Sequence, residues 1–189
     1  MKKRYFAIPI LAIALHFLLS NLLYFLVERL VLDVFHIPSQ QFMNYSYWGE
    51  ILIYAVLILV FFTLYKLLWR KEISEPRTAT NFKDVLGSLV VGFGICGISG
   101  LWIMLAEQLP SLQKSVEAMN AGAENIAGGN AFGTFMIAVI AAPVVEEILF
   151  RGIVLRSIRK FSPVWASILI SSVLFGVYHL NIVQAAYAT

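Results

Sequence analysis

Five stretches of the chain are apolar for long enough to predict membrane-crossing helices. A helix needs about 20 mainly apolar residues to cross a hydrocarbon layer of about 30 Å. The first span, residues 5–27, holds no charge. The second, 48–69, is bracketed by Trp48 and Trp69. At 1.5 Å per residue these lie roughly 32 Å apart, a spacing that suits two interfacial belts. The third covers 85–106 and the fourth 131–155, the latter running past Glu146 and Glu147. The fifth, 163–181, starts at Pro163 and includes His179. Between the third and fourth spans the chain is polar and rich in small residues, with a short helix expected over Ser111–Asn120. No internal repeat and no soluble domain interrupts this pattern. The expectation is one integral membrane domain over 1–189, an all-α polytopic bundle.

Composition agrees with that pattern. Of 189 residues, 60% are hydrophobic and only 13% charged, and the mean hydropathy is +0.81. Soluble domains hold about 25% charged residues. A disordered chain, a disulfide scaffold and an ordinary soluble enzyme are therefore excluded. The single cysteine, Cys96, rules out an intrachain disulfide and a cysteine-only metal cluster.

The net charge of +3 gains meaning only from where the basic residues fall. Lys2, Lys3 and Arg4 precede the first span. Lys66 stands at the end of the second, Arg70, Lys71, Arg77 and Lys83 follow it, and Arg156, Arg159 and Lys160 follow the fourth. The opposite loops hold Arg29 and Lys114 alone. Positively charged loops stay on the cytoplasmic side, so the N-terminus is expected there. The first apolar run is too long for a cleaved signal sequence and is expected to be retained. Basic character thus sets topology, and no nucleic-acid partner is expected. A multi-pass protein of a bacterial plasma membrane, with lipid as its surroundings, fits this reading.

Several local signals carry little. The run Gly92-Phe93-Gly94-Ile95-Cys96-Gly97 matches a dinucleotide-binding pattern, but that pattern needs a preceding strand and a water-accessible helix start. Inside a span, these glycines, with Gly87 and Gly100, are read as sites of close helix approach. His16 and Asn21 are expected to hydrogen-bond between helices. His36 falls in an outer loop, and Asn44-Tyr45-Ser46 is a glycosylation sequon that matters only in a secretory eukaryotic setting.

The informative residues lie in the fourth and fifth spans. Each ionised side chain at bilayer depth costs about 2.5–3.5 kcal/mol on insertion scales. Glu146 and Glu147 are adjacent, so their repulsion adds to that cost. Arg151 stands four residues after Glu147, one turn on, and is placed to neutralise it. Four residues after Glu146 stands Phe150, not a base. Glu147 is thus read as the structural acid and Glu146 as the one for general-base work. Pro143, one turn earlier, removes a backbone hydrogen bond and is expected to open or kink the helix. Folding the chain at Phe161 and Ser162 puts Glu146 and His179 at similar depth, roughly 23–26 Å from the turn. Phe175, one turn before His179, is placed to fix the imidazole.

Glu146-Glu147-x-x-x-Arg151 followed by Phe175-x-x-x-His179 resembles the first two motifs of the CAAX protease and bacteriocin-processing family of intramembrane proteases. The resemblance covers about 131–181. It implies an all-helical membrane enzyme, a CAAX-type endopeptidase cleaving a membrane-associated or lipidated peptide or protein. It assigns Glu146 to water activation and His179 to the same water or to a metal, with Glu147 and Arg151 supporting the site. The family pattern continues with a further histidine and an Asn or Asp four residues on. No histidine follows His179 in this chain, which is therefore expected to lack the last helices of the fold and part of its site.

A zinc-assisted version stays open, with Glu146 and His179 as candidate ligands. Catalytic zinc usually takes three protein ligands, and the sequence itself assigns no metal. Two other functions stay open as well. Facing Glu and His side chains also suit a proton-coupled carrier. The same residues also suit a non-catalytic immunity or scaffold protein that uses them only to hold helices together.

Overall fold

The computed structural model describes residues 3–34, 36, 39–73, 81–127 and 131–188. Lys2 and Arg77, both used in the charge count, lie outside the described residues. The described chain is helical, with no strand. Helix α1 covers Lys3–Arg29 and runs on into a widened, π-helical turn at Leu30–Val34. Helix α2 is Ser39–Ile73, α3 is Phe82–Glu107 and α4 is Gln113–Ala127. Helix α5 (131–158) alternates α-helical and π-helical stretches. Helices α6 (Val164–Tyr178) and α7 (Ile182–Ala188) complete the order.

Three segments are long and apolar enough to cross a membrane: Tyr5–Val34, Tyr47–Lys71 and Phe82–Glu107. Helix α6 is apolar but shorter, and α5 carries Glu146, Glu147 and Arg151 within its length. The chain is an all-α, polytopic integral membrane protein. Its spans keep their apolar side chains on the outside, as lipid requires. Only 6% of the Phe82–Glu107 window is buried.

The expected fifth span, 163–181, is broken by the structure. Helix α6 stops at Tyr178, Leu180 adopts a left-handed backbone with φ 52, and a separate helix begins at Ile182. The restart is specified by Asn181. Its side-chain oxygen accepts from the backbone N–H groups of Val183 at 2.9 Å and Gln184 at 3.2 Å, as an N-cap does. Helix α3 starts in a similar way. The Asn81 side chain accepts from Asp84 N at 3.0 Å, and Asn81 N donates to the Asp84 carboxylate at 3.1 Å. This capping box moves the helix start to Phe82, three residues before the expected Val85. The expected helix at Ser111–Asn120 is present as α4.

The described residues form two compact units, Met1–Trp69 with Gly122–Ser171 and Arg70–Ala121 with Ser172–Thr189. In the first, α1 and α2 run antiparallel. Tyr5 stacks on Trp69 with centroids 6.1 Å apart, and His16 meets Phe61 at 5.7 Å. Helix α5 lies parallel to α2, and glycines set that register. A Cβ on Gly133 would sit 2.9 Å from Tyr47 Cβ, and one on Gly152 would sit 3.1 Å from Tyr65 Cδ2. The buried stripe of α2 is Ile53, Leu57, Phe61 and Trp69, at helical spacing.

Three expectations change here. The glycines of α3 do not serve close approach within the described chain. A Cβ on Gly87, Gly92, Gly94, Gly97 or Gly100 would meet nothing within 4 Å. The close approaches are instead at Gly49, Gly133 and Gly152, isolated glycines outside any motif. Trp69 is not a lipid-facing belt residue: it is 1% exposed, between Tyr5 and the Lys160 ammonium, which lies 5.4 Å from the Trp69 ring centroid. Trp48 is exposed, as a belt residue would be. Asn21 is exposed and bonds within its own helix, donating to Phe17 O at 2.8 Å, the carbonyl one turn back.

These contacts give a paired prediction. Gly133→Val forces a side chain against the Tyr47 Cβ, which cannot move without the backbone. It is expected to destabilise the first unit by about 1–3 kcal/mol, the usual cost of overpacking. Gly97→Ala adds a methyl in open space and is expected to be neutral or stabilising by up to about 1 kcal/mol. Thermal melting in detergent measures both.

In the second unit, α3 packs on α7. Ala106, Val116 and Val183 form a small core, flanked by Trp102, Ile103, Leu112 and Met119. Two long-range hydrogen bonds lock it: Trp102 Nε1 donates to Val183 O at 3.0 Å, and Asn181 Nδ2 donates to Ser115 O at 2.8 Å.

Candidate functional site

The acidic half of the site is built on α5. Pro143 has no N–H to donate, and its ring clashes with the carbonyl four residues back. The chain answers by widening. Phe135–Ala141 is π-helical, and the Ala142 N–H reaches back five residues to Ile137 O. One α-helical turn, Ala142–Glu146, follows, and then a second π-helical stretch, Glu147–Leu155. The expected opening at Pro143 is therefore present, as a change of helical pitch. Such π-helical insertions recur at functional sites. Here the pitch changes between Glu146 and Glu147, so the two acids diverge.

Glu147 and Arg151 pair as their spacing predicts. Arg151 Nε stands 3.6 Å from Glu147 Oε2, and both side chains are exposed, 57% for Arg151 and 64% for Glu147. The pair lies on the outside of the first unit. Glu146 is partly buried. Tyr54 of α2 lies within electrostatic range of it, and Tyr54 is in turn within range of Glu50. Sequence reasoning missed Tyr54 and Glu50. Nothing in the α2 sequence marks them, and the signal that finds them is the register set by Gly133 and Gly152.

The imidazole half lies at the end of α6, in the second unit. His179 Nδ1 is 2.9 Å from Phe175 O. A carbonyl only accepts, so Nδ1 carries a proton; in the neutral imidazole Nε2 then holds the lone pair. The Phe175 ring meets the imidazole edge-on, with centroids 4.8 Å apart, and Tyr178 does the same at 5.6 Å. Phe175 thus holds His179 twice, by its carbonyl and by its ring. The left-handed Leu180 directly after it is a position that costs about 1–2 kcal/mol for a non-glycine residue. The Asn181 cap and its bond to Ser115 hold the chain in that turn.

The structure thus brings Glu147 to Arg151, and Phe175 to His179. Glu146, Glu147 and Arg151 belong to one compact unit, Phe175 and His179 to the other. A donor N–H fixed on a carbonyl is also the habit of metal-binding histidines. Among the described residues, however, no three His, Cys, Asp or Glu side chains gather as a metal site. Glu146 and His179 alone do not make up the usual ligand set.

No curated protein and no solved structure matches the chain. One family model does match, that of type II CAAX prenyl endopeptidase, Rce1-like, over residues 128–189. All five residues of the two motifs fall inside this stretch, about a third of the chain, over which it is similar to the Rce1-like CAAX prenyl endopeptidases.

Proposed function

We propose that the protein is an intramembrane endopeptidase that hydrolyses a peptide bond of a membrane-associated or lipidated substrate. The observation that carries this reading is the family match over 128–189, the stretch that holds Glu146 and His179. In the proposed reaction, Glu146 takes a proton from a water molecule and the resulting hydroxide attacks the peptide carbonyl carbon. The tetrahedral intermediate collapses with cleavage of the C–N bond, and the proton passes from Glu146 to the leaving amine. The Phe175-x-x-x-His179 motif falls in the same matched stretch and supports a role for His179 in this reaction. With Nδ1 committed to Phe175 O, a neutral His179 has no proton to offer the oxyanion. Glu147 and Arg151 neutralise each other on the outside of the unit, which supports a structural role for Glu147. The basic loops are taken to face the cytoplasm.

The test is cleavage by the chain purified into proteoliposomes. Peptides with and without a prenylated C-terminal cysteine are supplied, and new termini are read by mass spectrometry. Wild-type protein is expected to cleave, and His179→Ala to lose about 10²-fold or more of that activity. Solute flux coupled to protons, without cleavage, would instead support a carrier. Full biological function of a Glu146→Ala/His179→Ala double variant would support a scaffold.

A further inference from the structure

The basic end of the first unit holds two cations in register with two rings. Arg156 and Lys160 stand four residues apart on α5, so their side chains share one face of the helix. Both lie on rings of α2. The Arg156 guanidinium carbon is 5.1 Å from the Tyr65 ring centroid, and the Lys160 ammonium is 5.4 Å from that of Trp69. Tyr65 and Trp69 are themselves one turn apart, and stacking of this kind holds each cation in place. Like charges at this spacing repel, and both side chains are partly buried, where water and salt screen less. Lys66, directly after Tyr65, adds a third positive charge at the same level. Among the described residues, no acidic side chain pairs with Arg156 or Lys66.

The same corner holds an unmet donor. Trp69 is buried, and its Nε1 has no hydrogen-bond partner among the described residues. A buried N–H without an acceptor is costly, above all beside hydrocarbon. Excess positive charge and an N–H lacking an acceptor call for the same kind of group, an anion with oxygen acceptors. Position along the span sets its source. Trp69 lies within one turn of the end of the Tyr47–Lys71 segment, at headgroup depth. We propose that Arg156, Lys160 and Trp69 hold the phosphate of an anionic phospholipid headgroup at this edge of the membrane, with Lys66 adding to the attraction. Charges that only set topology act by their number in a loop and need no rings beneath them. The site is independent of the endopeptidase reading.

Native mass spectrometry of the full chain in detergent, titrated with phosphatidylglycerol, tests the site. Wild-type protein is expected to bind phosphatidylglycerol about tenfold or more tightly than zwitterionic phosphatidylcholine. Arg156→Gln/Lys160→Gln is expected to weaken that binding about thirtyfold, since each cation near an anionic headgroup is worth about fivefold. Arg156→Lys/Lys160→Arg keeps both charges and is expected to stay within about threefold of wild type. Arg29→Gln/Lys114→Gln removes two charges from the opposite loops and is expected to bind as wild type does. Trp69→Phe keeps a ring under Lys160 and removes only the N–H, with an expected loss of about fivefold or more. It decides the matter if the double glutamine variant does not fold. Equal binding of the two lipids, or wild-type affinity in either the double glutamine variant or Trp69→Phe, overturns the site. Inorganic phosphate that displaces the lipid at matching concentration overturns the lipid as its occupant.

Discussion

Glu146→Gln is expected to reduce peptide-bond cleavage by about 10²–10⁴-fold, the range that a positioned general base contributes. The substitution is nearly isosteric, so the packing of α5 against α2 is retained. It also removes a charge, and an ionised carboxylate at bilayer depth costs about 2.5–3.5 kcal/mol. The variant is therefore expected to accumulate in the membrane at least as well as wild type while losing activity. Loss of activity without loss of protein is the diagnostic pair. If the full protein with Gln at this position cleaved at the wild-type rate, Glu146 would not be the base. Cleavage assays normalised to membrane-embedded protein make the comparison. Glu146 and Glu147 are distinguished by their surroundings: Glu147 is exposed with Arg151 at 3.6 Å, and Glu146 is partly buried.

How much of this was legible in the sequence follows the reach of each signal. Contacts four residues apart on one helix need only the helical repeat, so Glu147 with Arg151 and Phe175 with His179 could be read directly. Three long spans followed from apolar length, with helix ends shifted where a polar side chain rewrote a terminus. Asn81 extended α3 at its start, and Asn181 ended the fifth span early by capping a new helix. Contacts between helices were not legible, because periodicity gives a face but not a partner. The glycine-rich run of α3 looked like a packing motif and meets nothing, while Gly133 and Gly152 set the α2–α5 register. Without that register, Tyr54 is one more aromatic residue in an apolar helix. The local consequence of Pro143 was readable as a disturbance. Its form, π-helical stretches on both sides of one α-helical turn, depends on how carbonyls and N–H groups repair around the missing donor.

Arg151→Ala is expected to lower the amount of folded protein in the membrane far more than it lowers the activity of the protein that remains. The size of the effect depends on where the Glu147–Arg151 pair sits. It lies on the outer surface of the first unit, with more than half of each side chain exposed. Were that surface in water, the pair would be worth only about 0–1 kcal/mol and the variant would behave as wild type. Facing lipid, removal of Arg151 leaves Glu147 uncompensated, at about 2.5–3.5 kcal/mol. That is a large part of the 5–15 kcal/mol by which folded proteins are usually stable. Glu147→Gln exposes Arg151 to a similar cost, so both single variants are expected to be depleted. The double variant Glu147→Gln/Arg151→Gln leaves no net charge on that face and is expected to recover most of the lost accumulation. Quantitative membrane fractionation with thermal melting in detergent measures this. Recovery in the double variant would mean the pair acts by neutralising charge in lipid. Depletion of all three alike would mean instead that the 3.6 Å contact itself holds the widened turn of α5 in place.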